Sequence, residues 1–290
     1  MYAATSPYKG PPPTLISKVE VEGGARVRFG IDQDKTVLKD LYQSDPVRVL
    51  FPDNPPGELM IGVLTTTSGG LVGGDKIRID IEADRHTASM IMAQAAEKIY
   101  RSTGEDCLID ISISADNGSW FEWLPQETIL HQGARLRRTT RLNLVGDARV
   151  LAGEFLVFGR HAMGETLSEG LVRDCWSVCK DERALWSDAF NMEGDLSGII
   201  NHPAGLGGAR GMANVVYAGP DACERLEMAR SFLPTQTNIR TGATVVNDVL
   251  LVRWLGSDVF LLRKAFATFW MRFRNQVGQQ PEKLPRLWDI

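Results

Sequence analysis

The segment whose spacing comes nearest to a chemistry-bearing loop is Ser68-Gly69-Gly70-Leu71-Val72-Gly73-Gly74-Asp75. A phosphate-cradling loop reads G-x-x-x-x-G-K-[ST], and Gly69 to Gly74 has that glycine spacing. The lysine position, however, is Asp75, whose carboxylate repels phosphate, and Lys76 arrives one place late. A dinucleotide-binding turn should run into a helix, whereas an alternating strand pattern begins at Ile77. Both nucleotide readings fail. What remains is a set of glycines suited to positive φ or close backbone approach, and an Asp75 held in a chosen direction.

Metal-ligand spacing is thin. His86, His131, His161 and His202 are isolated, and no C-x-x-C or H-x-x-x-H pair occurs. His161 and Glu165 are four apart, as are Cys175 and Cys179, but Gly159 and Gly164 argue against a helix around the first pair. The nucleophile elbow G-x-S-x-G is absent. Glu122, Glu127, Glu154 and Glu165 could supply an acid/base pair, although sequence fixes no separation between them. Arg135, Arg137, Arg138 and Arg141 read as a solvated strand face or edge, or else as a field that steers an acidic partner.

The elements that must position these groups are mostly strands. Val19 to Glu22, Ile77 to Glu82, Ile109 to Ser114 and Arg141 to Val145 alternate apolar and polar residues with period two. Asp116-Asn117-Gly118 and Gly146-Asp147 punctuate them as turns, and 28 glycines in 290 residues suit a fold rich in turns. Two helices are expected late in the chain. One opens at Pro220 with Asp221 as N-cap and Glu224 in a capping box, and stops at Pro234. The other runs from about Leu262 to Val277, buries Leu262, Phe266, Phe269, Trp270, Phe273 and Val277, and ends at Gly278. Arg263, Lys264, Arg272 and Arg274 fall on its other faces.

The 290-residue length is compatible with two domains, yet the weakest joint, Asn201–Gly219, is equally a loop within one. A tail over 1–16 and a single unit over 17–290 are expected. A net charge of −4 argues against nucleic acid, whose phosphates demand surplus Lys and Arg. No apolar run is long enough for a membrane span, and residues 1–13 lack the apolar region of a signal peptide. Four scattered cysteines fit a reducing, cytoplasmic setting better than a disulfide framework.

Taken together, five motifs resemble the UreD (UreH) family of urease accessory proteins. Thr65 to Asp75, TTTSGGLVGGD, with the following IRIDIE strand resembles that family's central glycine signature. Gln94 to Ser102, QAAEKIYRS, and Glu122 to Ile129, EWLPQETI, are similar to its second and third motifs. Gly159 to Glu165, GRHAMGE, resembles G-R-x-A-x-G-E, and Leu284 to Trp288 resembles its terminal P-R-[LI]-W. The resemblance spans roughly Val19 to Trp288, in order. Ala93 stands where the family more often has Thr, and His131 where an aromatic is commoner; both departures bear on local packing.

The resemblance implies a mainly β fold, an elongated twisted stack of strands with about two helices in the C-terminal third. It implies a cytoplasmic, non-enzymatic scaffold binding urease apoprotein and UreF, which holds the GTPase UreG. Nickel(II) would be in transit through an internal polar channel, with no tightly bound cofactor. Nickel favours imidazole and carboxylate donors, and a conduit must not bind it too well. Asp75 and Glu165 are the candidate transit carboxylates; their alternatives are a turn-capping Asp and a Glu paired with Arg160. Gln94, Lys98, Arg101, Glu127 and Arg160 are expected to line the channel or support it. A competing function is a β-rich, metal-dependent or carboxylate-driven hydrolase. A third is a binding module presenting Trp120, Phe121 or Trp123, of which alternation places at least one inside.

Overall fold

The computed structural model describes residues 21–53, 57–235 and 238–288. The expected tail and most of the Val19–Glu22 pattern lie outside these residues. Seventeen strands occur among the described residues. They are β1 (Glu22–Asp32), β2 (Lys35–Ser44), β3 (Val47–Leu50), β4 (Met60–Thr66), β5 (Lys76–Ala83) and β6 (Ala88–Ala93). Next come β7 (Glu97–Ile99), β8 (Cys107–Ala115), β9 (Trp120–Leu124), β10 (Thr128–Leu130), β11 (Arg135–Leu144) and β12 (Arg149–Phe158). The last are β13 (Glu169–Lys180), β14 (Arg183–Asp195), β15 (Gly211–Ala218), β16 (Ile239–Val246) and β17 (Val249–Gly256). Helices α1 (Leu196–Asn201), α2 (Leu226–Ser231) and α3 (Val259–Gly278) complete the chain, with single 3-10 turns at His161–Met163 and Arg286–Trp288.

The strands form two stacked sheets. The first has the order β14-β13-β11-β8-β5-β1-β2, and the path of the second runs β16-β17-β15-β12-β9-β6-β4-β3, with β10 and β7 joined beside β12. From β4 to β13 the chain passes back and forth between the sheets. Strands entered by the same crossing lie side by side and run the same way (β5 with β8, β8 with β11, β6 with β9, β9 with β12), since each returns only after a passage through the facing sheet. Antiparallel pairs close the outer strands, as in β1 with β2 and β13 with β14.

Three layers result: sheet, sheet, helices. The first sheet buries one face against the second and exposes the other, so β8 and β11 alternate as their sequences predict. The central strands of the second sheet are covered on both faces. All five residues of β9 are buried, and Trp120, Phe121 and Trp123 are each inside. At least one of them was placed inside by alternation; all three are, so β9 presents no exposed aromatic face for a binding module.

Helix α3 packs on the second sheet, and its expected apolar row is buried in full. Gly153 of β12 has no side chain because a Cβ there would lie 2.8 Å from both Phe266 and Trp270. Arg274, expected on an outer face, is instead buried: its Nε lies 3.0 Å from Glu122 Oε2, and Trp120 and Trp270 donate to the same carboxylate at 2.9 Å. The helix starts at Asp258, which accepts from Leu261 N at 3.0 Å.

Two helix expectations are corrected. Residues 220–225 form turns, not a first helical turn, and α2 begins only at Leu226. Asp221 is no N-cap; its carboxylate takes the Tyr217 hydroxyl at 2.5 Å and Arg225 Nε at 2.7 Å. Helix α1 was not foreseen: its six residues are too few for a periodic signal, although Asp195 caps it through Gly198 N at 3.0 Å. Segment 202–210 leads straight into β15, which pairs with β12 and β17 within the second sheet.

Candidate functional site

Between the sheets lies a cavity of about 140 Å³. Ile77, Ile79, Ile109 and Ile111 of the first sheet and Val47, Leu64 and Trp123 of the second supply its apolar walls. Gln94, Glu97, Lys98 and Gln126 lie on the β6–β7 and β9–β10 side, and Thr128 and Arg138 close the inner end. The glycine loop forms part of the rim through Gly69 and Gly70.

The loop's composition follows from what it touches. A Cβ on Gly73 would fall 2.1 Å from Ser102 Oγ and 2.3 Å from Glu105 O, so only glycine permits this approach of loop to strand-end. Gly70, at φ +145, would set a Cβ 2.8 Å from Lys98 O. The loop delivers Asp75 to a buried position at the start of β5. Its Oδ2 accepts from Val72 N at 2.9 Å, and its Oδ1 is buried without a hydrogen-bond partner. Asp75 thus caps the turn with one oxygen and leaves the other uncommitted.

Buried Cys107, at the start of β8, reports on the surrounding charges. Burial, together with the carboxylates of Asp75 and Glu97, pushes its thiol up to about 12, and Arg138 pulls it back only slightly, so it stays protonated. Glu97 accepts from Thr66 Oγ1 at 2.5 Å, and burial raises its carboxyl above the usual range against that bond and the nearby Lys98.

At the inner end is a buried ionic group. Arg138 Nε donates to Asp174 Oδ1 at 3.0 Å and its Nη1 to Thr128 Oγ1 at 3.0 Å. Its Nη2 lies 2.7 Å from Glu154 Oε2, close enough to pair but off the N–H direction. Arg138 and Asp174 are register partners on β11 and β13, while Glu154 projects from β12 in the facing sheet. All three side chains are at most 5% exposed. The two carboxylates hold the guanidinium firmly protonated, whereas burial pushes Glu154 up to about 7, with Asp174 adding to the rise and Arg138 opposing it.

The remaining expected residues lie elsewhere. Glu165 pairs with Arg160 and accepts from Gln132 N at 2.9 Å; the guanidinium beside it holds its carboxyl below the usual range. Buried His131 stands nearby, edge-on to Tyr100 at 4.7 Å between ring centres. Burial lowers its pKa, and Arg160 adds to that. Arg101 is largely exposed, 3.6 Å from Glu169. Glu127 pairs with Arg263, which also donates to Trp288 O at 2.5 Å and stacks 3.9 Å from the Trp288 ring centre. The structure therefore brings Gln94 and Lys98 to the cavity with Asp75 close by. Glu165 with Arg160, and Glu127 with Arg263, form two separate ion pairs. Among the described residues no three His, Cys, Asp or Glu side chains converge to hold one metal ion.

Sequence reasoning missed Glu97, Thr128 and Asp174, and misplaced Arg138. A solvated face or edge, or a field steering an acidic partner, would each need the whole basic run outside, yet Arg137 and Arg138 are adjacent on an alternating strand and cannot both face water. Leu136, Arg138, Thr140, Leu142 and Leu144 form the inward row. That adjacency was the available signal.

The comparisons now bear on this arrangement. A family model described as UreD urease accessory protein matches residues 21–289. A urease accessory protein UreD of Magnetococcus marinus is 46% identical over 292 residues, covering 99% of both chains. That of Azorhizobium caulinodans is 36% identical, covering 91% of this chain and 96% of its own, and that of Xanthobacter autotrophicus 36%, covering 92% and 89%. Matches over nearly the whole chain place it in the class of urease accessory proteins. The chain belongs to the UreD family.

Proposed function

We propose that the chain is a non-catalytic scaffold of urease maturation. It engages urease apoprotein and a UreF partner carrying the GTPase UreG, and nickel(II) crosses it as cargo through the space between the sheets. One observation carries this reading: carboxylates buried beside that space, of which Asp75 keeps an oxygen uncommitted. Glu97 lines the cavity with Lys98 and Arg138, while Asp75, Glu154 and Asp174 are buried beside its wall; Glu154 and Asp174 share Arg138, and one oxygen of Asp75 has no partner. Arg274 is spent on Glu122 across the sheet. A buried carboxylate oxygen with no partner, such as Asp75 Oδ1, offers a passing cation a contact. Nickel(II) accepts carboxylate donors, and donors set singly along a path let an ion leave as readily as it enters. Glu165 and Arg160, on the outer side of His131, are read as supporting this path, and so are Arg101 and Glu127.

The test is urease activation with Asp75→Ala and Glu165→Ala proteins co-produced with urease and its accessory partners. Both should assemble normally and yield urease several-fold poorer in nickel. Full nickel loading by both variants would sink the transit role.

A further inference from the structure

We propose that the free edge of β16 is a docking edge for a second copy of this chain, the two β16 strands pairing antiparallel about a twofold axis at Gly242. This pairing is independent of the transit reading above.

Strands β14 and β2 end the first sheet, β16 and β3 the second, and β7 lies outermost on its side branch. An open edge invites another strand, and folds guard it with charges, bulges or shortness. All of these strands but β16 are guarded from within. Strand β2 carries Lys39 and Asp40 in its middle, where its register with β1 shifts. Strand β14 carries Asp188 and Glu193, and its register with β13 shifts beside Val178 and Cys179. Strands β3 and β7 have only four and three residues. Strand β16 has eight and keeps an unbroken register with β17. Its one charged residue, Arg240, is engaged by Leu206 O.

The hairpin fixes which groups face outward. Asn247 and Asp248, at φ 45 and 65, make the two-residue turn into β17, with Val246 and Val249 flanking it as a bonded pair. Gly242, Thr244 and Val246 therefore bond to β17, while Ile239, Thr241, Ala243 and Val245 direct their N–H and C=O away from it. Ala243 O agrees with this, accepting from Arg230 Nη2 at 3.3 Å and Nε at 3.4 Å.

Gly242 is the second sign. Its φ lies outside the left-handed region, no bulge occurs there, and a Cβ would meet nothing within 4 Å. Nothing among the described residues demands a glycine, which weakens a strand; a backbone approaching from outside does demand one. With the axis at this residue, Ile239 stands opposite Val245 of the second copy and Thr241 opposite its Ala243. All four outward residues then pair, through about eight backbone hydrogen bonds. Arg240 falls opposite Thr244, so no like charges meet. Arg230 is the group in the way. Glu227 holds it at 2.7 Å, and its two long bonds to Ala243 O are given up when the strands pair.

Sedimentation velocity of the full chain, over a concentration range of about a hundredfold, should show one chain at the low end and two at the high end. Gly242→Lys enters open space in the single chain but sets two ammonium groups against each other across the axis, and should stay single throughout. Arg230→Ala should associate at a several-fold lower concentration. Hydrogen exchange at the Thr241, Ala243 and Val245 amides should slow as the wild-type pair forms. A wild type that stays single, or a Gly242→Lys protein that associates as well as wild type, overturns the docking edge. Protection of these amides only when urease and its accessory partners are added also overturns it, because the occupant is then a strand of another protein.

Discussion

Glu154 lies within nine consecutive buried residues of β12, where an ionised carboxylate has no access to water. Its only cationic partner among the described residues, Arg138, is shared with Asp174. Burial pushes Glu154 up to about 7 from an ordinary 4.5, so the folded chain binds a proton there that the unfolded chain has released. Stability linked to this group is therefore highest below about 4.5 and declines as pH rises toward about 7. Thermal unfolding of the wild type between pH 5 and 7.5 should show that decline, and Glu154→Gln should flatten it; an unchanged slope would place the titration elsewhere. Such a residue is hard to read in a sequence. The apolar run around Glu154 marks it as buried, but its partners are set by register: Arg138 and Asp174 stand 36 positions apart. Arg138 was legible from its neighbour Arg137, because alternation sends one of two adjacent arginines inward.

Element patterns were legible where one face is wet. The rows of β5, β8 and β11 follow period two, and α3 buries the stripe its spacing predicts. Reading failed where both faces are covered, as in β9, and where polar residues serve tertiary contacts, as Asp221 does for Tyr217. Gly278 shows the same competition. The helix ends at Gly278 as expected, while the left-handed conformation that follows falls on Gln279 at φ 53. The glycine is there because a Cβ would lie 2.3 Å from the Trp120 ring, which is anchored through Nε1 to Glu122. Helix propensity alone favours Gly278→Ala by about 1 kcal/mol. Overpacking against an immobile indole costs about 1–3 kcal/mol. The variant should melt at a lower temperature than the wild type; a higher melting temperature would show that the ring yields.

On the scale of the molecule, the chain end is fastened to the rim of the cavity. Trp288 is buried, donates from Nε1 to Pro125 O at 3.3 Å and stacks on Phe266, while Gln126 Nε2 lies 3.4 Å from Leu287 O. Pro125 and Gln126 are themselves part of the cavity wall. Trp288→Ala should cost about 3–5 kcal/mol in denaturant unfolding, the range for deleting a buried aromatic. A loss below about 1 kcal/mol would mean that the terminal motif is held by its backbone bonds alone.

The cavity wall draws at least one residue from every strand between β3 and β11, from Val47 through Leu64, Ile77, Ala93, Glu97, Ile109, Trp123 and Thr128 to Arg138. No shorter stretch of chain encloses it. A nascent or partly unravelled molecule therefore has no enclosed hollow at all. Possession of an intact interior is a certificate that nine successive strands have all found their places.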